Sequence, residues 1–94
     1  MSIQNESKDI SNSNNDYLKS YIYPNPTNGQ FNIFLKNNDI NRIIIWDSQG
    51  KVILERNVVN SNNVNIDLSD RPKGLYLINI YSNTDVDKLK IIVE

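Results

Sequence analysis

From Tyr17 to the end of the chain, apolar residues recur at every second position. Tyr21 and Tyr23 alternate in the run YIY, and Phe31, Ile33 and Leu35 alternate with Asn32, Phe34 and Lys36. Ile43 and Ile45 lie in NRIIIWD, and Val52 and Leu54 follow Gly50. Val64, Ile66 and Leu68 alternate with polar residues, as do Tyr76, Ile78 and Ile80 in their turn, and Leu89, Ile91 and Val93 close the series. A period of two puts alternate side chains on one face of a strand, whereas a helix would repeat at 3.6. The runs are about five to eight residues long and are bounded by Asn, Asp, Gly, Ser or Pro, as strands are. Their spacing of roughly 8–12 residues predicts about seven strands in an antiparallel sandwich. The many Ile and Val residues suit a pleated, half-buried surface, and no stretch carries a helical period. The fold class expected is therefore all-β, an immunoglobulin-like antiparallel β-sandwich.

Two stretches read as corners. In YIYPNPTNGQFNI, residues 21–33, Pro24 and Pro26 lack an N–H and fix φ, so they end the strand before them. Tyr23 and Asn25 precede prolines and are pushed toward extended geometry. Asn28-Gly29 then supplies the positive φ of a tight turn, and Gln30 starts the next strand. The segment is expected to be a rigid corner joining two strands. In DLSDRPKGLY, residues 67–76, Pro72 and Gly74 make the turn and Tyr76 enters a strand. Tyr76 has two readings: a tyrosine corner, its hydroxyl bonded to backbone a few residues upstream, or an ordinary half-buried aromatic.

Composition narrows the function. The 94 residues suffice for one small domain. Residues 1–16 are rich in Ser and Asn and nearly free of large apolar side chains, so they read as a disordered linker from an upstream cargo, with the domain over 17–94. The folded part is near the size at which one core supplies only ~3–5 kcal/mol. Ile45, Tyr76 and Ile78 are expected at its centre. The net charge of −1 and pI near 5.3, with basic residues scattered from Lys8 to Lys90, argue against nucleic acid and against a basic membrane-surface patch. No apolar run approaches the ~20 residues of a membrane span, so membrane insertion is not expected. The start has neither a basic n-region nor an apolar h-region, so it is not read as a signal peptide, and if the natural protein is exported its targeting segment is expected outside this chain.

Candidate chemistry is sparse. The chain has no Cys and no His, which removes the thiol nucleophile, the imidazole base and the common zinc sites. Asp85 and Asp87, with Ser82 and Asn83, offer oxygen ligands for calcium, but they lack the turn glycine and closing glutamate of such loops and equally suit a solvated turn. Trp46 with Tyr21, Tyr23 and Tyr81 could form an aromatic face for a sugar or peptide. The competing reading puts Trp46 in or beside the core of a central strand. Asp47 and Asp67 stand alone and read as turn residues. No catalytic constellation emerges, so no enzyme is expected.

The ordered set YPNPTNGQFNI, IIIWDSQGKVI, NIDLSDRPKGLYLINI and KLKIIVE resembles the C-terminal sorting domain, type A, of the type IX secretion system of Bacteroidota. The resemblance covers residues 17–94. In it the first motif falls on Pro24, Pro26 and Gly29, and the second on Asp47, Gly50 and Lys51. The third falls on Leu68, Gly74 and Tyr76, and the last strand on Lys88, Lys90, Ile91, Ile92 and Val93. Trp46 replaces a usual tyrosine and Ser48 a usual apolar residue. The resemblance implies a non-catalytic signal that directs an attached cargo across the outer membrane, with no cofactor. It implies type IX translocon and sortase components as partners, and transit through the periplasm to the cell surface or medium. A sortase would cut before Tyr21 and join the cargo to lipopolysaccharide. Translocon recognition would fall on Pro24, Pro26, Gly29, Gly50, Lys51, Gly74, Tyr76, Lys88, Lys90, Ile92 and Val93.

The last strand is expected at a sheet edge with free N–H and C=O groups, open to strand addition. Lys88 and Lys90 are then either recognition charges or guards against edge aggregation. A different class of function, an immunoglobulin- or fibronectin-like binding or adhesion module for carbohydrate or protein, also fits such a sandwich.

Overall fold

The structure is a computed structural model and describes residues 19–94. The linker expected over 1–16 and the domain start expected at Tyr17 lie outside the described residues. Seven strands follow one another: β1 Tyr21–Tyr23, β2 Gln30–Phe34, β3 Arg42–Asp47, β4 Val52–Asn57, β5 Asn63–Asp67, β6 Gly74–Tyr81 and β7 Val86–Val93. They form a three-stranded sheet, in the order β1-β2-β5, and a four-stranded sheet, in the order β4-β3-β6-β7, with every pair antiparallel. The connections β2–β3, β4–β5 and β5–β6 each pass from one sheet to the other. The fold is an all-β sandwich, as the period of two predicts.

One core fills the space between the sheets. The three-stranded sheet contributes Phe31, Ile33, Val64 and Ile66, and the four-stranded sheet contributes Ile43, Ile45, Tyr76, Ile78, Ile80, Ile91 and Val93. Ile45 and Ile78 are register partners and fully buried, with Tyr76 beside them, so the expected centre is the observed one. Burying a side chain of this size removes it from water at a gain of roughly 1.5–3 kcal/mol.

Two faces differ from the sequence reading. In β1 the buried-side residue is Ile22, while Tyr21 and Tyr23 are exposed and the Tyr21 ring stacks on Phe34 at 4.8 Å. Three residues are too few for periodicity to say which parity faces inward. In β4 the register slips at Ile45/Trp46, so that Trp46 faces Val52 and Ile45 faces Leu54. That bulge lets Ile53 and Leu54 both pack on the core and turns Val52 outward.

Candidate functional site

The proline segment does more than join β1 to β2. After leaving the three-stranded sheet, it runs along the outer edge of β7 in the other sheet, and the chain then returns to β2. Thr27 N–H donates to the Ile92 carbonyl and the Glu94 N–H donates to the Thr27 carbonyl, both at 2.8 Å, which makes a parallel bridge. Asn25 lies between two prolines that have no N–H, and its side chain supplies the pairing instead. Its Nδ2 donates to the Lys90 carbonyl at 2.9 Å, and its Oδ1 accepts from Ile92 N–H at 3.2 Å. The Thr27 side chain is buried, with Oγ1 donating to the Gln30 carbonyl at 2.6 Å and accepting from Gly29 N–H at 3.1 Å. The expected corner is therefore a strap that ties the two sheets together. The last strand is at an edge, as expected, but from Lys90 to Glu94 that edge is not free. Asn25 and Thr27 already occupy it.

The strap also meets the β5–β6 connection. Leu68 N–H donates to the Gly29 carbonyl at 2.7 Å, and Gly29 has φ +131°. A Cβ at Gly29 would lie 2.6 Å from the Ser69 Cα, so glycine is required by the approach of two backbones. In the same connection, Asp67 Oδ1 accepts from Ser69 N–H at 2.9 Å and from its hydroxyl at 2.5 Å. Those bonds, the hydroxyl's first, hold the Asp67 carboxyl below its ordinary range. The Tyr76 hydroxyl donates to the Pro72 carbonyl, four residues upstream, which settles the two readings of Tyr76 in favour of the tyrosine corner.

The β3–β4 turn closes beside this corner. Asp47 Oδ1 accepts from Gln49 N–H and Lys51 N–H at 2.9 Å, and Gly50 takes φ +86°. Together with Arg71, Lys73, Gly74 and Tyr76, Asp47 and Lys51 line a depression of about 310 Å³. The strap, this turn, the tyrosine corner and the end of β7 all lie at one end of the sandwich.

A family model described as the secretion system C-terminal sorting domain matches residues 21–94. The chain belongs to that family. It is a type IX secretion C-terminal sorting domain, a signal that sends an attached protein to the cell surface or the extracellular space. No curated protein matches the chain.

The residues that the resemblance assigns to translocon recognition come from four separate stretches of the sorting domain. Pro24, Pro26 and Gly29 are in the strap; Gly50 and Lys51 are in the β3–β4 turn; Gly74 and Tyr76 open β6, with Gly74 paired to Val93. Ile92 and Val93 end β7, Ile92 exposed and Val93 buried. Lys90 is exposed near this end, and Lys88 is exposed further along the strand, opposite Asn79. Sequence reasoning missed Asn25 and Thr27. An amide between two prolines was the available signal, because a segment without N–H groups must pair through side chains.

Two candidate sites change. Tyr21 and Tyr23 are on the outer face of the three-stranded sheet, while Trp46 and Tyr81 are on the outer face of the four-stranded one, so the four rings do not form one surface. Trp46 is half-buried, and Arg42 holds its guanidinium 4.8 Å above the Tyr81 ring. Between Asp85 and Asp87 stands an ammonium of the chain itself: Lys36 Nζ lies 3.0 Å from Asp85 Oδ2 and 3.2 Å from Asp87 Oδ1. The pair reads as a lysine clamp rather than a calcium loop. Desolvation would lower the Lys36 pKa, but the bonds and charges of the two aspartates outweigh it and leave the group above 10.5. The Ser82 hydroxyl first, then Lys36, hold the Asp85 carboxyl low.

Proposed function

We propose that this domain directs an upstream cargo through the periplasm to the type IX translocon, and that the end built by the strap, the β3–β4 turn and the tyrosine corner is the part the translocon reads. The observation that carries this reading is the convergence of the family's separate motifs on one end of the sandwich. Residues 19 and 20 lie at the other end, where Ser20 Oγ accepts from Lys36 N–H and the start of β7 is close by. A cargo attached upstream would thus leave the motif end exposed. A sortase then cuts before Tyr21, and the cargo is anchored or released. No residue of the domain is given a catalytic role.

The test is an export assay. Residues 1–94 are fused to the C-terminus of a fluorescent reporter that carries a Sec signal, in a host with a working type IX system and in one whose translocon is deleted. The reading expects reporter on the surface or in the medium of the first host alone, with its mass reduced by the sorting domain. Reporter held in the periplasm of both hosts would remove the export reading and bring the adhesion-module reading forward.

A further inference from the structure

The outer face of the four-stranded sheet is unlike the rest of the surface. Its register places Val52, Trp46, Leu77 and Lys90 in one row across the four strands. The next row is Glu55, Ile44, Asn79 and Lys88, and Leu75 pairs with Ile92 beside the motif end. Five of the eight exposed large apolar residues, Val52, Leu75, Leu77, Val86 and Ile92, stand on this face, so the exposed apolar surface is concentrated rather than scattered. Concentration of this kind marks an interaction surface more than an ordinary exterior does.

Charge gives the partner's chemistry. The face carries Arg42, Lys88 and Lys90 against one acid, Glu55, and that acid is taken by Arg42 at 3.4 Å. Among the described residues, Lys88 and Lys90 have no ion pair. Lys51, Arg71 and Lys73 adjoin the face at the depression, together with Asp47, whose Oδ1 accepts from the Gln49 and Lys51 amides, and exposed Glu94 follows β7. The outer face of the three-stranded sheet bears Tyr21, Tyr23 and Phe34 among Gln30, Asn32, Asn63, Asn65 and Asp67, and by contrast has no Lys or Arg. The apolar strip therefore has a cationic border, which complements an apolar surface bordered by carboxylates.

We infer that the outer face of the four-stranded sheet, centred on Trp46, Leu77 and Ile92 and bordered by Lys88 and Lys90, docks on an acidic-rimmed surface of a protein in the export apparatus. The inference rests on the export reading and deepens it. It adds the flat of the four-stranded sheet to the motif end as a contact, and leaves out the edge of β7 from Lys90 to Glu94, which the strap holds.

The experiment uses the same reporter fusion, so that the two ideas fail separately. Lys88→Gln with Lys90→Gln removes two charges from this face, and Asn32→Asp with Asn65→Asp makes the same change in net charge on the opposite face. Loss of about tenfold or more in export is expected for the lysine pair, none for the asparagine pair, and recovery with Lys88→Arg and Lys90→Arg. Leu77→Asn is expected to lose export while its thermal unfolding curve stays cooperative. If the unsubstituted fusion is exported and both the lysine pair and Leu77→Asn are exported equally well, the docking face is wrong and the export reading stands. If the unsubstituted fusion is not exported, the export reading itself fails. Two measurements on the purified chain complete the test. Sedimentation is expected to show a monomer. Vesicles of phosphatidylcholine with about a quarter phosphatidylglycerol are expected not to bind it, although surface lysines near an anionic membrane can contribute about 1 kcal/mol each. A dimer broken by Leu77→Asn would assign the face to a second copy, and vesicle binding lost with Lys88→Gln and Lys90→Gln would assign it to lipid. Either result overturns a protein partner.

Discussion

At the scale of single residues, the two turn glycines Gly29 and Gly50 do different work. Gly29 combines φ +131° with a Cβ position that would strike the Ser69 backbone, whereas Gly50 combines φ +86° with open space. Gly29→Ala is therefore expected to destabilise the domain by more than about 2 kcal/mol, because the strap must lift off the β5–β6 connection. Gly50→Ala meets conformational strain alone and is expected to cost about 1 kcal/mol. Urea unfolding of the two variants checks the order. Asp67 and Asp85 each contribute to the acid side of the stability profile. Both carboxyls lie below 3.8 in the fold, so their contribution is full above that value and falls away as pH drops through the folded values. Lys36 works in the opposite sense. Its folded value lies above 10.5, so its contribution is full below 10.5 and lost as pH rises through the higher value. In thermal midpoints measured across pH, these three groups should thus contribute a fall on the acid side and one on the alkaline side. Lys36→Gln should flatten the alkaline fall attributed to it, and an unchanged profile would remove its role.

At the scale of elements, the strap is the feature that distinguishes this sandwich from a set of paired strands. Asn25→Ala removes two hydrogen bonds to β7 at an exposed site, at an expected cost of about 1–2 kcal/mol. Thr27→Val leaves buried backbone groups without the hydroxyl and is expected to cost about 1–3 kcal/mol. Both changes are read from urea midpoints, and equal stability to the parent chain would deny the strap its structural role. The strands themselves were legible in the sequence because alternation is local, and the core centre at Ile45, Tyr76 and Ile78 followed from it. Pro24, Pro26 and Gly29 were legible as breaks but not as a strap. Asn25 finds its partners 65 and 67 residues further on, and no spacing within the segment reports that. The parity of β1 and the turn of Val52 outward were hidden for a related reason. Three residues carry too little period, and a bulge changes parity without changing composition.

At the scale of the whole molecule, the four stretches on which the resemblance rests are remote in sequence and, Lys88 apart, meet at one end in space. The prolines, the Asp47 turn, the tyrosine corner and the end of β7 make a single closed end, and the chain enters at the other. The lysine clamp of Lys36 with Asp85 and Asp87 belongs to the entry end, as does Arg42 with Glu55, so these ion pairs among the described residues lie away from the motif end. The outer face of the four-stranded sheet runs between the two ends and carries the exposed apolar strip. On this account the prolines and glycines act through architecture: they close an edge that would otherwise invite pairing with other chains, and they fix the end of the last strand. That closure is the central claim. The measurement that reaches it most directly is amide hydrogen exchange followed residue by residue by NMR on residues 1–94. The account predicts that Thr27, Ile92 and Glu94 amides exchange about tenfold or more slowly than those of Val86 and Lys88, which point outward on the same edge beyond the strap and have no backbone acceptor there among the described residues. Exchange of Ile92 and Glu94 as fast as that of Lys88 would contradict it, and the end of β7 would then be an open edge.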